Sequence, residues 1–402
     1  MNEPYIRVPY GLTVHGDEEI AAVVEVLKTS TMMGKNVARF EAEVANCFAK
    51  RHGIMVNSGS SALLLAMEIL GLPAGSEVIT PCLTFSTTVA SIVKNQLVPV
   101  FIDVTSGTYC INVAAIEAAI TPHTKAILVP NLLGNLPDWP AIAAIAKKYH
   151  LAVIEDSADT LGATWNGKPA GTYTDISITS FYGSHVINCA GNGGMLCVNS
   201  DEHMRKAKLL RSWGRSSSLF VESEAVENRF NVTLDGIPYD AKFVFEAIGY
   251  NYEPSEMGAA FGLVQLKKLK ENVSIRQKNF DTLYRFFKPY EKWFILPQEA
   301  AEASTGWLAF PLTIRETAPF TRRQMQIFFE KRNIQTRVVF TGNILRQPGF
   351  KNIKCIINPA GYPEADNVMR GGILIGCHHG LSEAMLSHMQ ESFLAFCKSS
   401  DT

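Results

Sequence analysis

The chain has 402 residues, of which 47% are hydrophobic and 19% charged, and its formal net charge is -1. This is enough apolar chain for two or three lobes around sizeable cores. A near-zero charge with no basic block excludes nucleic-acid binding through a charged surface. The 8 cysteines (Cys47, Cys82, Cys110, Cys189, Cys197, Cys355, Cys377 and Cys397) form no Cys-x-x-Cys pair. Their scatter through apolar runs reads as buried free thiols in a reducing compartment rather than a zinc or redox motif. The start of the chain has neither a basic n-region nor an apolar h-region, and no transmembrane span is visible, so a cytoplasmic protein is expected.

Apolar spacing predicts helices over 17–29 and 37–51. The run from Ile54 reads as a short strand, a glycine turn and a buried helix. Alternating units follow: strands at 77–81, 98–103, 126–130 and 151–156, with helices at 86–95, 113–120 and 139–149 between them, and a further strand at 176–181. This alternation predicts an α/β fold with a mainly parallel sheet. Residues 213–250 are polar and irregular, as in an excursion or hairpin over a site. A long helical stretch spans about 254–289, and a smaller α+β lobe follows, giving a large domain over 1–290 and a small one over 291–402.

Ligands of open α/β sheets gather at the carboxyl ends of the strands, and several ends here carry chemistry. Asn57-Ser58-Gly59-Ser60-Ser61 lies between a strand and a helix. Its glycine, N–H groups and hydroxyls suit a phosphate, although a simply capped helix reads the same way. Phe85 follows the strand at 77–81 and could stack on a planar ring or belong to the core. Asp156 ends an apolar strand, and a buried acid needs a partner: a pyridinium nitrogen, a structural ion pair or a helix cap. Asp159 lies three residues on, within reach of a ring hydroxyl or a substrate. Ser180 precedes His185 by five residues, and the Gly193-Gly194 pair follows. Gly249-Tyr250-Asn251 precedes the long helix.

In this order the five segments resemble the DegT/DnrJ/EryC1-type sugar aminotransferases, a fold-type-I group that uses pyridoxal phosphate. The resemblance runs from about residue 10 to 395 and includes Gly34, Phe40-Glu41-Ala42-Glu43 and Pro130-Asn131-Leu132-Leu133-Gly134-Asn135. It implies that Gly59, Ser60, Ser61, Phe85, Asp156, Asp159, Ser180, His185 and Asn251 bind the cofactor. Asn251 would reach the phosphate in the neighbouring subunit of a homodimer with shared active sites. In the family a lysine five residues after the serine holds the cofactor covalently. Here that position is His185, and no lysine occurs between Lys168 and Lys206. Imidazole forms no lasting imine but moves protons near neutral pH.

Two His-bearing branches of the family are similar in this respect, the GDP-4-keto-6-deoxymannose 3-dehydratases and the CDP-4-keto-6-deoxyglucose 3-dehydrases. The resemblance implies removal of a C3 hydroxyl beside a C4 ketone on a nucleotide-linked sugar. His185, Asp156 and Asp159 would be the catalytic residues, and pyridoxamine phosphate would be regenerated from an amino donor such as L-glutamate. The stretch Thr336 to Pro348 resembles the substrate segment of both branches and suggests Arg337, Asn343 and Arg346 as substrate contacts. His378-His379 beside Cys377 reads as a substrate contact, a structural turn or, lacking a second ligand cluster, a poor metal site. The CDP-sugar branch carries four iron–sulfur cysteines. Their positions here hold Ala158 and Ser216-Ser217-Ser218, so no cluster is expected. A dehydrase that needs an external reductase and a non-catalytic cofactor-binding homologue stay open as alternatives. The nucleotide and the sugar stereochemistry are not legible.

Overall fold

The computed structural model describes residues 5–220 and 225–400. The chain opens with α1 (Asp17–Lys28) and α2 (Lys35–Cys47). It then runs through β1 (His52–Val56), α3 (Gly59–Ile69), β2 (Glu77–Pro81), α4 (Ser86–Lys94), β3 (Val98–Ile102), β4 (Thr124–Pro130), α5 (Trp139–Tyr149) and β5 (Ala152–Asp156). The short β6 (Thr164–Trp165) and β7 (Lys168–Pro169) lead to β8 (Ile176–Ser180) and β9 (Gly194–Val198).

These strands build a seven-stranded sheet in the order β1-β9-β8-β5-β4-β2-β3. The β2–β3, β2–β4, β4–β5 and β5–β8 pairs are parallel, and β9 runs antiparallel to both of its neighbours. The expected mainly parallel sheet is therefore present. Its central strands are apolar on both faces because helices cover both. With period two, Val78, Ala126, Leu128 and Ile154 point to the core that α3 fills with Leu63 and Leu65. Ile79, Ile127, Val129 and Val153 point to the opposite core, where α5 supplies Trp139 and Ile142.

Residues 113–120 form two 3-10 turns, Val113–Ala115 and Glu117–Ala119, rather than the expected helix. Only Ile116, between them, is buried in the core, too short an apolar face to hold an α-helical nucleus. After α6 (Asp201–Arg211) the excursion contains the short α7 (Val226–Arg229) and a hairpin of β10 (Val232–Leu234) and β11 (Ile237–Tyr239). Asp235 and Gly236 turn that hairpin with positive φ, 49° and 83°. Residues 221–224 of the excursion lie outside the described residues. The long helical stretch is two helices, α8 (Glu256–Lys267) and α9 (Leu269–Phe287). They are parted at Lys268, where ψ opens to -3°.

A second sheet joins β12 (Phe294–Ile295), β14 (Ala309–Ile314) and β15 (Gly372–Gly376), while β13 (Ala303–Ser304) pairs with β6. Helices α10 (Arg322–Lys331), α11 (Pro363–Gly371) and α12 (Glu383–Ser400) complete this region. The N-terminal segment crosses over to it: Val8 forms a parallel bridge with Ile334, exchanging backbone bonds of 2.9 Å with Asn333 and Gln335. None of the helices among the described residues is long and apolar enough to cross a membrane.

Candidate active site

A cavity of about 400 Å³ opens where β5 and β8 end and α3 begins. Gly59, Ser60, Phe85, Asp156, Asp159, Ser180 and His185 all line it, so seven of the expected cofactor residues converge. Ser58 caps α3 by accepting the Ser61 N–H at 3.1 Å. The Ser61 hydroxyl donates to Asn57 Oδ1 at 2.7 Å, and Ser61 does not line the cavity.

The cradle is tight because glycines permit it. A Cβ on Gly59 would fall 2.6 Å from Ser180 Cβ, and one on Gly194 would fall 2.3 Å from the Ser58 carbonyl. The first turn of α3 therefore lies directly on the end of β8. Its free N–H groups and dipole suit an anion, and the Ser60 and Ser180 side chains stand beside them.

Asp156 is buried. Its carboxylate accepts from the Thr88 hydroxyl at 2.8 Å and from the Ala158 N–H at 3.2 Å. Burial raises its pKa, and those two donors oppose the shift. Asp159 Oδ2 accepts from the Leu133 N–H at 3.0 Å, and Oδ1 lies 4.0 Å from His185 Nε2. Burial, and then the neighbouring Asp156 charge, push the Asp159 carboxyl up to about 7.

A pKa raised in the folded state contributes stability below the unfolded value, and that contribution is lost as pH rises through the folded one. Asp159 therefore weighs against the cofactor-free fold above pH 7. Asp159→Asn should stabilise that form at pH 8 by roughly 1–4 kcal/mol. The gap to the parent should close as pH falls toward 4. Thermal melts of both proteins at pH 8 and pH 5 check this, and a variant that is less stable at pH 8 contradicts it.

His185 is enclosed, with 14% of its side chain exposed. Its Nδ1 lies 3.1 Å from the Ser180 carbonyl oxygen. A carbonyl only accepts, so Nδ1 carries the hydrogen and Nε2 keeps its lone pair. Burial holds the imidazole at about 4, aided by the Arg276 charge and opposed by the Ser180 bond. Near neutral pH it is an uncharged base.

None of the five substrate candidates lines the cavity. His378 is buried with both nitrogens engaged, Nε2 at 3.0 Å from Pro9 O and Nδ1 accepting from the Gly380 N–H at 3.2 Å. His379 Nδ1 accepts from Arg276. Asn343 and Arg346 both bond Asp366, at 2.8 Å and 2.6 Å. The Arg337 guanidinium lies 5.6 Å from the centre of the Tyr10 ring. Asn251 is exposed outside this cavity, bridged to Ser212. Among the described residues no group of three or more His, Cys, Asp or Glu is placed to hold a metal ion.

The structure adds residues that the sequence did not single out. Tyr10, Leu308 and Phe340 wall the cavity, with Phe340 edge-on to Phe85 at 5.8 Å. Arg276 stands behind His185. Its signal lay in the pattern of α9, whose buried positions are Asn272, Arg276, Asn279, Phe280, Leu283 and Phe287. An arginine on that stripe is out of place unless it has partners.

Residues 14–393 match the DegT/DnrJ/EryC1/StrS aminotransferase family. The chain belongs to this family. Among its DegT-family relatives, dTDP-4-dehydro-2,6-dideoxy-D-glucose 3-dehydratase of Saccharopolyspora spinosa is 36% identical, over 96% of this chain and 86% of that one. The lipopolysaccharide biosynthesis protein RfbH of Salmonella typhimurium is 34% identical, over 97% and 91%. Of the solved structures, E coli GDP-4-keto-6-deoxy-D-mannose-3-dehydratase with bound hydrated PLP superposes with a TM-score of 0.86 at 28% identity, covering 96% of this chain and 100% of that one. A GDP-4-keto-6-deoxymannose-3-dehydratase with a trapped PLP-glutamate geminal diamine gives 0.86 at 27%, over 96% and 100%. The DegT-family fold is thus the fold-type-I architecture that the resemblance implied.

Proposed function

We propose that the protein is a PLP- and PMP-dependent 3-dehydratase of a nucleotide-linked 4-keto-6-deoxyhexose, with His185 as acid and base and L-glutamate as amino donor. The observation that carries this reading is His185 itself. It stands five residues after Ser180, where the family resemblance places a lysine, with Nδ1 tied back and Nε2 free beside the cavity.

The remaining residues fit the cofactor. The glycine-lined first turn of α3 with Ser60 and Ser180 suits its phosphate. Asp156 suits its ring nitrogen, because a buried carboxylate would gain a cationic partner there. Phe85 offers a ring face at the cavity wall. When bound, the cofactor supplies an electron sink. His185 Nε2 takes up and returns the proton, and the nearby Asp159 carboxylate favours the imidazolium while it exists. No amine in this segment recaptures the cofactor, which favours loss of the C3 hydroxyl over simple amino transfer. The activities of the relatives support the substrate class, and the relative solved with a PLP-glutamate geminal diamine supports the donor.

In this proposal the enzyme is self-contained and needs no separate reductase. Ala158, at a position where the resemblance places a cluster cysteine, lines the cavity, and no cysteine occurs between Cys197 and Cys355. We also read the active unit as a homodimer in which Asn251 serves the partner's site. Exposed apolar side chains of the excursion support this, Phe245 at 58% exposure and Ile248 at 97%.

The test is the absorption spectrum of the protein with PLP, before and after L-glutamate. A shift to the amine form with release of 2-oxoglutarate is expected, followed by formation of a 3-deoxy product from 4-keto sugar nucleotides. A bound cofactor that no amino donor converts, and no turnover when PMP is supplied, would refute the proposal.

A further inference from the structure

We propose that Arg276 is a positioning residue for both members of the His185–Asp159 pair, holding the His185 turn and the Asp159 loop to one guanidinium. The observation is a chain of hydrogen bonds that runs from one side chain to both residues. Arg276 sits mid-way along α9 and is fully buried. Its Nη2 donates to the His185 carbonyl at 3.3 Å. Its Nη1 donates to the carbonyls of Trp307 and Leu308, at 3.1 Å each, and Nε donates to His379 Nδ1 at 3.2 Å. The Leu308 N–H in turn donates to the Leu133 carbonyl at 2.8 Å, and the Leu133 N–H reaches Asp159 Oδ2 at 3.0 Å. From one side chain, one path ends on His185 and the other on Asp159. The two residues at its ends stand 4.0 Å apart, Nε2 to Oδ1.

The choice of arginine has a physical reason. Burying a guanidinium is costly unless its donors are met. Here its acceptors are carbonyls and an imidazole, with no carboxylate among its hydrogen-bond partners. A planar fork reaches three chain segments at once, which the single ammonium of a lysine cannot do. The charge acts as well as the shape. Arg276 faces His185 and Asp159 from α9, Tyr10 from the N-terminal segment, and Cys377, His378 and His379 from the turn after β15. Together with burial it keeps the His185 imidazole uncharged.

The inference rests on the reading of His185 as the base, but its test does not. In 15N-histidine-labelled protein without substrate, with the His185 signal assigned by His185→Asn, Arg276→Lys should change the ring from one fixed tautomer to a mixture. Arg276→Gln should do the same and also move the ring's titration upward toward the ordinary histidine range. His379→Ala, which removes only the Nε acceptor, should move the signal in the same direction by less. In the glutamate half-reaction Arg276→Lys should lower kcat about tenfold or more with little change in KM or in cofactor affinity. Unchanged His185 signals in the folded variants would overturn the proposal, and Arg276→Lys and His379→Ala decide it should Arg276→Gln not fold. A ring that responds to Arg276 in a protein inactive with every donor would uphold the positioning role and refute the dehydratase reading.

Discussion

A His185→Lys variant should lose dehydration by about 10²–10⁴-fold, the usual worth of a positioned acid–base group. The parent imidazole presents Nε2 beside the cavity only because Nδ1 is committed to the Ser180 carbonyl. A lysine has one nitrogen. In this enclosed setting burial favours its neutral amine, and a neutral amine bonds covalently to an aldehyde. The cofactor would then be recaptured after each amino transfer instead of remaining free for loss of the C3 hydroxyl. The product spectrum should move accordingly, with the 3-deoxy-4-keto sugar giving way to a trace of 4-amino sugar. Mass spectrometry of the products from one batch of 4-keto sugar nucleotide separates the two. Dehydration at the parent rate in the lysine variant would remove His185 from the role assigned to it.

The second large effect should come from a surface remote from the cavity. Phe245→Asp combined with Ile248→Asp should convert a dimer to a monomer and lower turnover by at least about tenfold. In the single chain both residues are exposed, as are Val226 and Ile237 nearby. On the shared-site proposal, apolar groups of this size belong to the surface that the partner subunit covers. Burying an unpaired carboxylate there costs several kcal/mol, enough to split an ordinary interface. Asn251 follows three residues after Ile248 and does not reach this chain's own cavity. A monomer would therefore lack whatever that side chain gives the partner. Sedimentation velocity with parallel assays checks both parts. A variant that remains dimeric, or a monomer with full activity, would refute the shared-site reading.

Between residues 54 and 180 the strands and the helices α3, α4 and α5 were legible because each strand is a short apolar run and each of those helices has a buried face, whereas 113–120 lacks such a face and forms 3-10 turns. The residues gathered at the cavity were legible for a related reason. They stand at strand ends and helix starts, where local sequence fixes position: Gly59, Asp156 and Ser180 are examples. What comes from far away in the chain left little trace. Tyr10 and Leu308 reach the cavity through tertiary contacts with no local motif. His378 drew attention as half of a histidine pair, yet its Nε2 is taken by Pro9 from the other end of the chain, and its Nδ1 by the Gly380 N–H two residues on. Arg346 was expected as a substrate contact, and the fold pairs it with Asp366, twenty residues on. A sequence names a cation, but only the folded chain shows which anion is nearest.

The path of residues 5–15 has a bearing on how the protein is handled. Val8 is stitched to the strand-like segment at 334, Tyr10 forms part of the cavity wall, and the Thr13 hydroxyl donates to the Gly183 carbonyl at 2.8 Å. Gly11 lies so close to Ser184 that a Cβ there would fall 2.7 Å from its neighbour's. This stretch has no regular secondary structure, and on a chart of elements it looks like an overhang to be trimmed or tagged at will. In three dimensions it is a strap drawn across the Gly183–Ser184 turn and buckled to the segment at 334. Protein engineers who shorten or refit this stretch are altering the wall of the cavity.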